Sequence, residues 1–167
     1  MAPVVLVDAT AELLDAAIAG PADLGRLLDA AVAEGWEGFP EAVPALRASY
    51  AARPGGHDWG TLLFMLDAPR TLVGLGGYKG APSADGVVEI GYAIAPAFQG
   101  RGLATEAVRS MVSRAFAEPR VAAVDAHTLA HRNPSTRVLE KTGFARIAEK
   151  QDPDDGAIWQ WRLQRPR

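Results

Sequence analysis

The segment that most constrains the fold is residues 87–116, where a strand, a glycine-containing turn and a helix follow one another. The run VVEIGYAIA (87–95) predicts a buried strand that Pro96 ends. Apolar residues spaced three and four apart from Leu103 to Phe116 predict an amphipathic helix. A strand that turns directly into a helix requires a sheet with helices packed on it.

The start of this helix lacks acidic residues, although helix amino ends usually attract them because their first amides are unpaired. No Asp or Glu occurs between residues 90 and 105, and the first is Glu106. Backbone amides from Gly100 to Thr105 could instead converge on a phosphate or pyrophosphate, with charge added by Arg101. The sequence therefore predicts an anion-binding turn.

The remaining pattern predicts an α+β fold with a mixed sheet, not a regular doubly wound one. Further strands are expected at 4–7, 60–67, 71–80, 121–129, 144–150 and 157–163, and further helices at 11–19, 23–33, 40–52 and 134–142. Asn133 is a predicted N-cap before Pro134, and Gly143 a predicted left-handed residue after the last helix. We expect one domain over residues 1–167, with a helical part (1–58) and a sheet part (59–167).

Composition excludes several kinds of chemistry. The chain has 167 residues, a net charge of −3 and no cysteine, which removes disulfides, cysteine nucleophiles and thiolate metal sites. A weakly acidic chain does not suit nucleic acid. The first residues, MAPVVLVDATAE, lack the basic region and long apolar core expected of a signal peptide, and no apolar run approaches ~18 residues. We expect a cytoplasmic protein with no nucleic-acid or membrane partner. His57, His127 and His131 lack ligand spacing, so structural or surface roles are favoured over a metal site.

Two further features leave alternatives open. The run GLGGYKG (74–80) is interpreted as a glycine-rich bend in a strand, because no helix follows it as a dinucleotide site requires. Glu89 lies inside an apolar strand, and either faces solvent or points into a cleft as a general base.

These segments together resemble the GNAT superfamily of acyl-CoA-dependent N-acetyltransferases. The acetyl-CoA signature of the family reads here QGRGLA (99–104), and the second signature resembles NPSTRVLEKTGF (133–144). The runs IGYAIAPAFQGRGLATEA and GGYKG look most like the branch that includes ribosomal-protein N-terminal acetyltransferases. The resemblance implies the GNAT fold, a mostly antiparallel sheet of about six to seven strands splayed at the cofactor slot and flanked by helices.

The resemblance also implies a site. Acetyl-CoA would donate its acetyl group directly to a primary amine, without an acyl-enzyme and without a metal. Its pyrophosphate would lie on the amides of the glycine turn, and its pantetheine arm would pair with the preceding strand. The implied cofactor-binding residues are Tyr92, Ala93, Ile94, Gln99, Gly100, Arg101, Gly102, Leu103, Ala104, Thr105 and Asn133.

The proton chemistry departs from the family pattern. The position of a common family base is Thr128 here, and that of a common tyrosine acid is Leu139. Glu89 is the candidate base, acting directly or through water. Ser135 is the candidate contact to the leaving sulfur, with a helix-start role as the alternative.

Three functions stay open at this point: acetyl transfer to an amine, the same fold using another donor such as succinyl-CoA, and a non-catalytic acyl-CoA sensor or interaction protein. The acceptor could be a protein N-terminus or a small-molecule amine, and a homodimer is possible. Trp36, Phe39, Trp59, Tyr78 and the stretch 56–60 could line its pocket, although core packing suits most of these aromatic residues.

Overall fold

A computed structural model describes residues 3–53 and 58–167. Within them the chain forms eight strands and five α-helices, which confirms the α+β fold. The strands are β1 (Val5–Asp8), β2 (Ala31–Val32), β3 (Thr61–Asp67), β4 (Arg70–Tyr78), β5 (Val87–Ile94), β6 (Ala123–Leu129), β7 (Ala145–Asp152) and β8 (Gly156–Gln164). The helices are α1 (Ala11–Ala19), α2 (Pro21–Leu28), α3 (Ala42–Ala52), α4 (Leu103–Phe116) and α5 (Pro134–Lys141).

The sheet is mostly antiparallel and opens in its middle. Its order is β1-β3-β4-β5-β6-β8-β7, with β2 beside β4. The central pair β5 and β6 is parallel and covers only Val87–Glu89 against Ala123–Asp125. Beyond it, residues 90–94 of β5 stay with β4, while β6 stays with β8 as far as Leu129. The sheet therefore splays after three paired residues, as the fold prediction requires.

In the amino-terminal part, one predicted helix is shorter than expected, and one strand is present that the sequence did not predict. The helix predicted over 23–33 ends at Leu28, whose carbonyl accepts a hydrogen bond from Arg70 Nε at 2.9 Å. Asp29 then takes a left-handed conformation (φ 51°), and residues 31–32 pair in parallel with β4. Sheet pairing with β4 thus overrides the local apolar spacing, and this strand raises the count above the expected six to seven.

Two apolar cores lie on the two faces of the sheet. One packs α4 and α5 against β4, β5 and β6, with Met111 and Leu139 fully buried. The other packs the amino-terminal helices against β3 and β4 and includes Trp36. No helix in the described ranges is long and apolar enough to cross a membrane.

Three of the four candidate pocket aromatics belong to these cores. Trp36 and Tyr78 are each 6% exposed, and Trp59 packs edge-on against Tyr78 with ring centroids 5.0 Å apart. Phe39 differs, since it is 62% exposed. His57 and part of the stretch 56–60 lie outside the described residues.

Candidate active site

The splay between β5 and β6 opens a cleft of about 1630 Å³. This exceeds the roughly 300–1,000 Å³ of pockets for drug-sized ligands. Its walls come from β5, the glycine turn with the start of α4, the far end of β6, the first turns of α5 and the tip of the β7–β8 hairpin. The cleft is therefore large enough to hold an extended ligand between β5 and β6.

The open edge of β5 turns alternate backbone groups toward the cleft. Lys79 N donates to Glu89 O at 2.9 Å, and Ala95 N donates to Val73 O at 2.8 Å, so these β5 positions turn their backbone toward β4. Alternation along the strand then points the backbone groups of Ile90, Tyr92 and Ile94 toward the splayed side. Ala93 turns its backbone to β4 and lines the cleft by its side chain alone.

Glycine gives the turn after β5 its shape. Gly100 and Gly102 both have φ of 77°, a left-handed conformation that other residues adopt only with strain. No side chain caps α4, and its first helical hydrogen bond is donated by Glu106 N. The amides of Leu103, Ala104 and Thr105 precede that bond, so they have no acceptor within the helix.

Three side chains around this turn are engaged elsewhere. Glu106 accepts a hydrogen bond from Val4 N at 2.6 Å, so the first acid of α4 ties down β1. Gln99 Nε2 donates to Ile94 O at 3.0 Å, which closes the turn onto the end of β5. Arg101 donates to Ala97 O and stacks on the Phe98 ring, so its charge lies outside the cleft.

The first turn of α5 forms the opposite wall. Asn133 caps the helix as predicted, accepting from Thr136 N at 3.0 Å, and Thr136 Oγ1 accepts in return from Asn133 N. Asn133 Nδ2 also donates to His131 O at 2.9 Å. The carboxamide therefore holds the loop, and it also borders the cleft.

Tyr92 crosses from β5 to this wall. Its hydroxyl donates to Ser135 O at 3.3 Å, and burial raises its pKa to about 12. A thiol has a pKa near ~8.5, so this phenol is a poor proton donor to a leaving thiolate. Tyr92 positions Ser135, which is half-buried and borders the cleft.

Glu89 points into the cleft, the second of its two sequence alternatives. Its Oε2 lies 2.8 Å from Lys79 Nζ and 3.0 Å from His127 Nδ1. The Glu89 and His127 side chains are 29% and 22% exposed, so this group is accessible but sheltered. Asp152, at the end of β7, borders the same part of the cleft.

The two positions where the family commonly has a general base and a tyrosine acid hold buried core residues here. Thr128 is 7% exposed and its hydroxyl accepts from Trp161 Nε1 at 3.0 Å. Leu139 is fully buried. Among the described residues, no three His, Asp or Glu side chains group as a metal site would need.

Sequence reasoning missed the contact between Glu89 and His127. The interpretation of His127 as a structural or surface residue rested on the absence of a paired carboxylate at metal-ligand spacing along the chain. The parallel register places Glu89 opposite Asp125, two residues before His127, so both side chains share one face. The sequence shows which side chains of each strand share a face, but it does not show the register between β5 and β6.

Comparisons with known proteins agree on the family. A family model described as "Acetyltransferase (GNAT) domain" matches residues 19–145. "Probable N-acetyltransferase YjcK" of Bacillus subtilis is 40% identical over 73 residues, which are 42% of this chain and 40% of the relative's length. The chain thus matches less than half of this curated relative.

Two solved structures share the fold. A spermidine N-acetyltransferase SpeG chimera from Vibrio cholerae and hSSAT has a TM-score of 0.71 at 13% identity, covering 96% of this chain and 95% of that one. AAC(6')-Ib in complex with ribostamycin and coenzyme A has a TM-score of 0.68 at 21% identity, covering 98% and 94%. The family model and the splayed sheet lead to one conclusion: the chain belongs to the GNAT acetyltransferase family.

Proposed function

We propose that this protein transfers the acetyl group of acetyl-CoA directly to a primary amine while both substrates are bound. The single observation that carries the proposal is the cleft where β5 leaves β6, bordered by the uncapped start of α4. A free strand edge and a free helix amino end together fit a ligand with an amide-containing arm and a pyrophosphate.

The residues present fit acetyl-CoA. The backbone groups of Ile90 and Tyr92 face the splayed side, where a pantetheine amide could pair as an added strand does. The amides of Leu103, Ala104 and Thr105 would hold the pyrophosphate. Arg132, Arg137 and Lys141 border the same cleft and would supply positive charge near the phosphates.

When bound, acetyl-CoA supplies a thioester carbonyl that an amine can attack. Backbone N–H groups of β5 on the splayed side would stabilise the oxyanion that develops there. Ser135 would offer a hydroxyl near the leaving sulfur. Gln99, Gly100, Gly102 and Asn133 would act by shaping the turn and the loop that enclose the cofactor.

The acceptor class is a primary amine, either a small molecule or a protein N-terminus. Of the structural relatives above, one is a spermidine acetyltransferase and one is bound to the aminoglycoside ribostamycin. If the acceptor is a protein N-terminus, the protein would act like the ribosomal-protein N-terminal acetyltransferases, which the residues around the glycine turn resemble.

Thiol release from acetyl-CoA, followed with a chromogenic disulfide reagent, tests the proposal. The protein has no cysteine and so adds no background signal. We expect release that depends on one acceptor class in a panel of peptides, amino acids, polyamines and aminoglycosides. Reactions without acceptor, and parallel reactions with succinyl-CoA, control for hydrolysis and donor choice.

Calorimetric titration with acetyl-CoA accompanies the assay. Saturable binding without release for any acceptor or donor would contradict the proposal and favour the sensor function. If acetyl-CoA does not bind, both the proposed acetyl transfer and the sensor function are contradicted.

A further inference from the structure

We propose that His127, held by Glu89, accepts the proton of the attacking amine, and that Glu89 is its positioning residue rather than the base itself. The inference rests on the proposed acetyl transfer and assigns its proton acceptor. It starts from the contact between Glu89 Oε2 and His127 Nδ1 at 3.0 Å.

The hydrogen-bond chemistry of this contact fixes the imidazole tautomer. An ionised carboxylate only accepts hydrogen bonds, so the proton between the two groups must lie on His127 Nδ1. The neutral ring then carries its lone pair on Nε2, because only one ring nitrogen is protonated. A carboxylate thus prepares Nε2 to take a proton, which is the arrangement of a general base with its orienting group.

Glu89 is poorly suited to be the base. Its Oε2 already accepts from two donors, His127 Nδ1 and Lys79 Nζ, the latter at 2.8 Å. A proton arriving on Oε2 would have to displace one of these two donors, so a hydrogen bond of the resting site would be lost. If Glu89 instead orients the His127 imidazole, it keeps both of these hydrogen bonds.

Charged groups from three strands lie around His127. Glu89 faces His127 from β5, Lys79 from the end of β4 and Asp152 from the end of β7, while the β8 residue opposite is the neutral Gln160. The pKa of Asp152 is lowered, first by the backbone amides of Asp155 and Asp154 and to a lesser degree by Lys79 and His127. Two carboxylates and one ammonium therefore border the part of the cleft where the His127 ring lies.

The proton and electron count of the step is complete. The amine lone pair forms the C–N bond, and the amine proton passes to His127 Nε2. As the carbonyl re-forms, the C–S bond breaks and its electron pair leaves with sulfur as a thiolate. The imidazolium releases its proton to solvent, and the thiolate takes one up, so no oxidant or further reactant is needed.

The first test is nitrogen NMR of the histidine side chains in the full chain, assigned by comparison with His127→Gln and His131→Gln. We expect the neutral form of His127 in the wild type to be protonated on Nδ1, and Glu89→Ala to populate the Nε2–H tautomer. A wild-type ring protonated on Nε2 would overturn the assignment. This readout needs neither acetyl-CoA nor an acceptor, so it is independent of whether acetyl transfer occurs.

The second test is kinetic. His127→Gln should lower kcat by about 10²-fold or more, the usual effect of losing a general base, with an unchanged Kd for acetyl-CoA. Glu89→Gln can still accept from Nδ1, so it should keep more activity than Glu89→Ala.

The outcomes separate the two proposals. Equal loss of kcat in Glu89→Gln and Glu89→Ala, with His127→Gln near the wild type, would make Glu89 the base and contradict this assignment. A wild-type protein without turnover on any amine would contradict the proposed function, while the tautomer would still decide whether Glu89 prepares His127. Unchanged circular dichroism and acetyl-CoA affinity in each variant exclude misfolding as the cause.

Discussion

Gly100 and Gly156 have nearly the same positive φ angle in different places. Their φ angles are 77° and 75°, and an added Cβ would have no heavy atom within 4 Å at either site. Gly100 borders the cleft before α4, whereas Gly156 is an exposed residue at the β7–β8 turn. The pair can separate backbone strain from ligand binding.

We predict that Gly100→Ala and Gly156→Ala each lower the free energy of unfolding by about 1–2 kcal/mol, the cost of a left-handed conformation with a Cβ. Only Gly100→Ala should also weaken acetyl-CoA binding, by about tenfold or more, or at least 1.4 kcal/mol. Urea denaturation and calorimetric titration measure the two effects. Equal affinities for acetyl-CoA in both variants would remove the glycine turn from the proposed cofactor site.

At the scale of elements, local sequence patterns predicted the helix α4 and the cap of α5 correctly, whereas strand β2 and the contact between Glu89 and His127 were not predicted. The bounds of α4 matched the predicted 103–116, because its apolar stripe and preceding glycines are local signals. The α5 cap and the left-handed Gly143 (φ 94°) followed from Asn, Pro and Gly at fixed offsets. These signals depend only on neighbours along the chain.

Features set by contacts distant in sequence escaped prediction. Strand β2 exists because residues 31–32 meet β4, about 40 residues further along the chain, and their own sequence continues a helical pattern. The Glu89–His127 contact spans 38 residues and depends on the β5–β6 register. Arg101 has a different, local cause: it was expected to add charge at the ligand, yet the Phe98 ring and the Ala97 carbonyl, three and four residues earlier, compete for its guanidinium. Such competition between partners is decided only by the folded chain.

The α5 cap yields a prediction that separates two roles of Asn133. Asn133→Ala should lower the free energy of unfolding by about 1 kcal/mol, and Asn133→Ser should restore most of it, because serine also caps well. If capping is its main contribution to the cofactor site, Asn133→Ser should bind acetyl-CoA like the wild type. Thermal denaturation and calorimetry decide this. Wild-type stability with lost affinity would show that the carboxamide itself contacts the cofactor.

At the scale of the whole molecule, two tyrosines join the sheet to the helices that cover it. Tyr78 Oη donates to Met111 O of α4 at 2.6 Å, and Tyr92 Oη donates to Ser135 O of α5. Burial raises the pKa of each phenol to about 12 from 10.0. Both tyrosines lie on the β4–β5 side of the splay, and each fastens that side to a helix by a phenol that must stay neutral.

We predict that stability falls steeply between about pH 10 and pH 12 because of these tyrosines. Their folded-state pKa lies above the unfolded value, so the stabilisation is fully present below pH ~10 and is lost as the pH rises through ~12. Each tyrosine should contribute on the order of 2 kcal/mol to this loss. Tyr78→Phe and Tyr92→Phe should each be less stable at neutral pH by about 1 kcal/mol, the loss of one hydrogen bond, yet should lose less stability at high pH.

Urea denaturation at a series of pH values, combined with ultraviolet absorbance of tyrosinate, measures this. Tyr50→Phe in α3 is the matched control, because it removes a phenol without touching either link between sheet and helix. Tyrosinate absorbance from all three phenols at about pH 10 in the folded protein would contradict the prediction. So would an alkaline loss of stability that is the same in the wild type, Tyr78→Phe and Tyr92→Phe, since the loss would then arise from other groups.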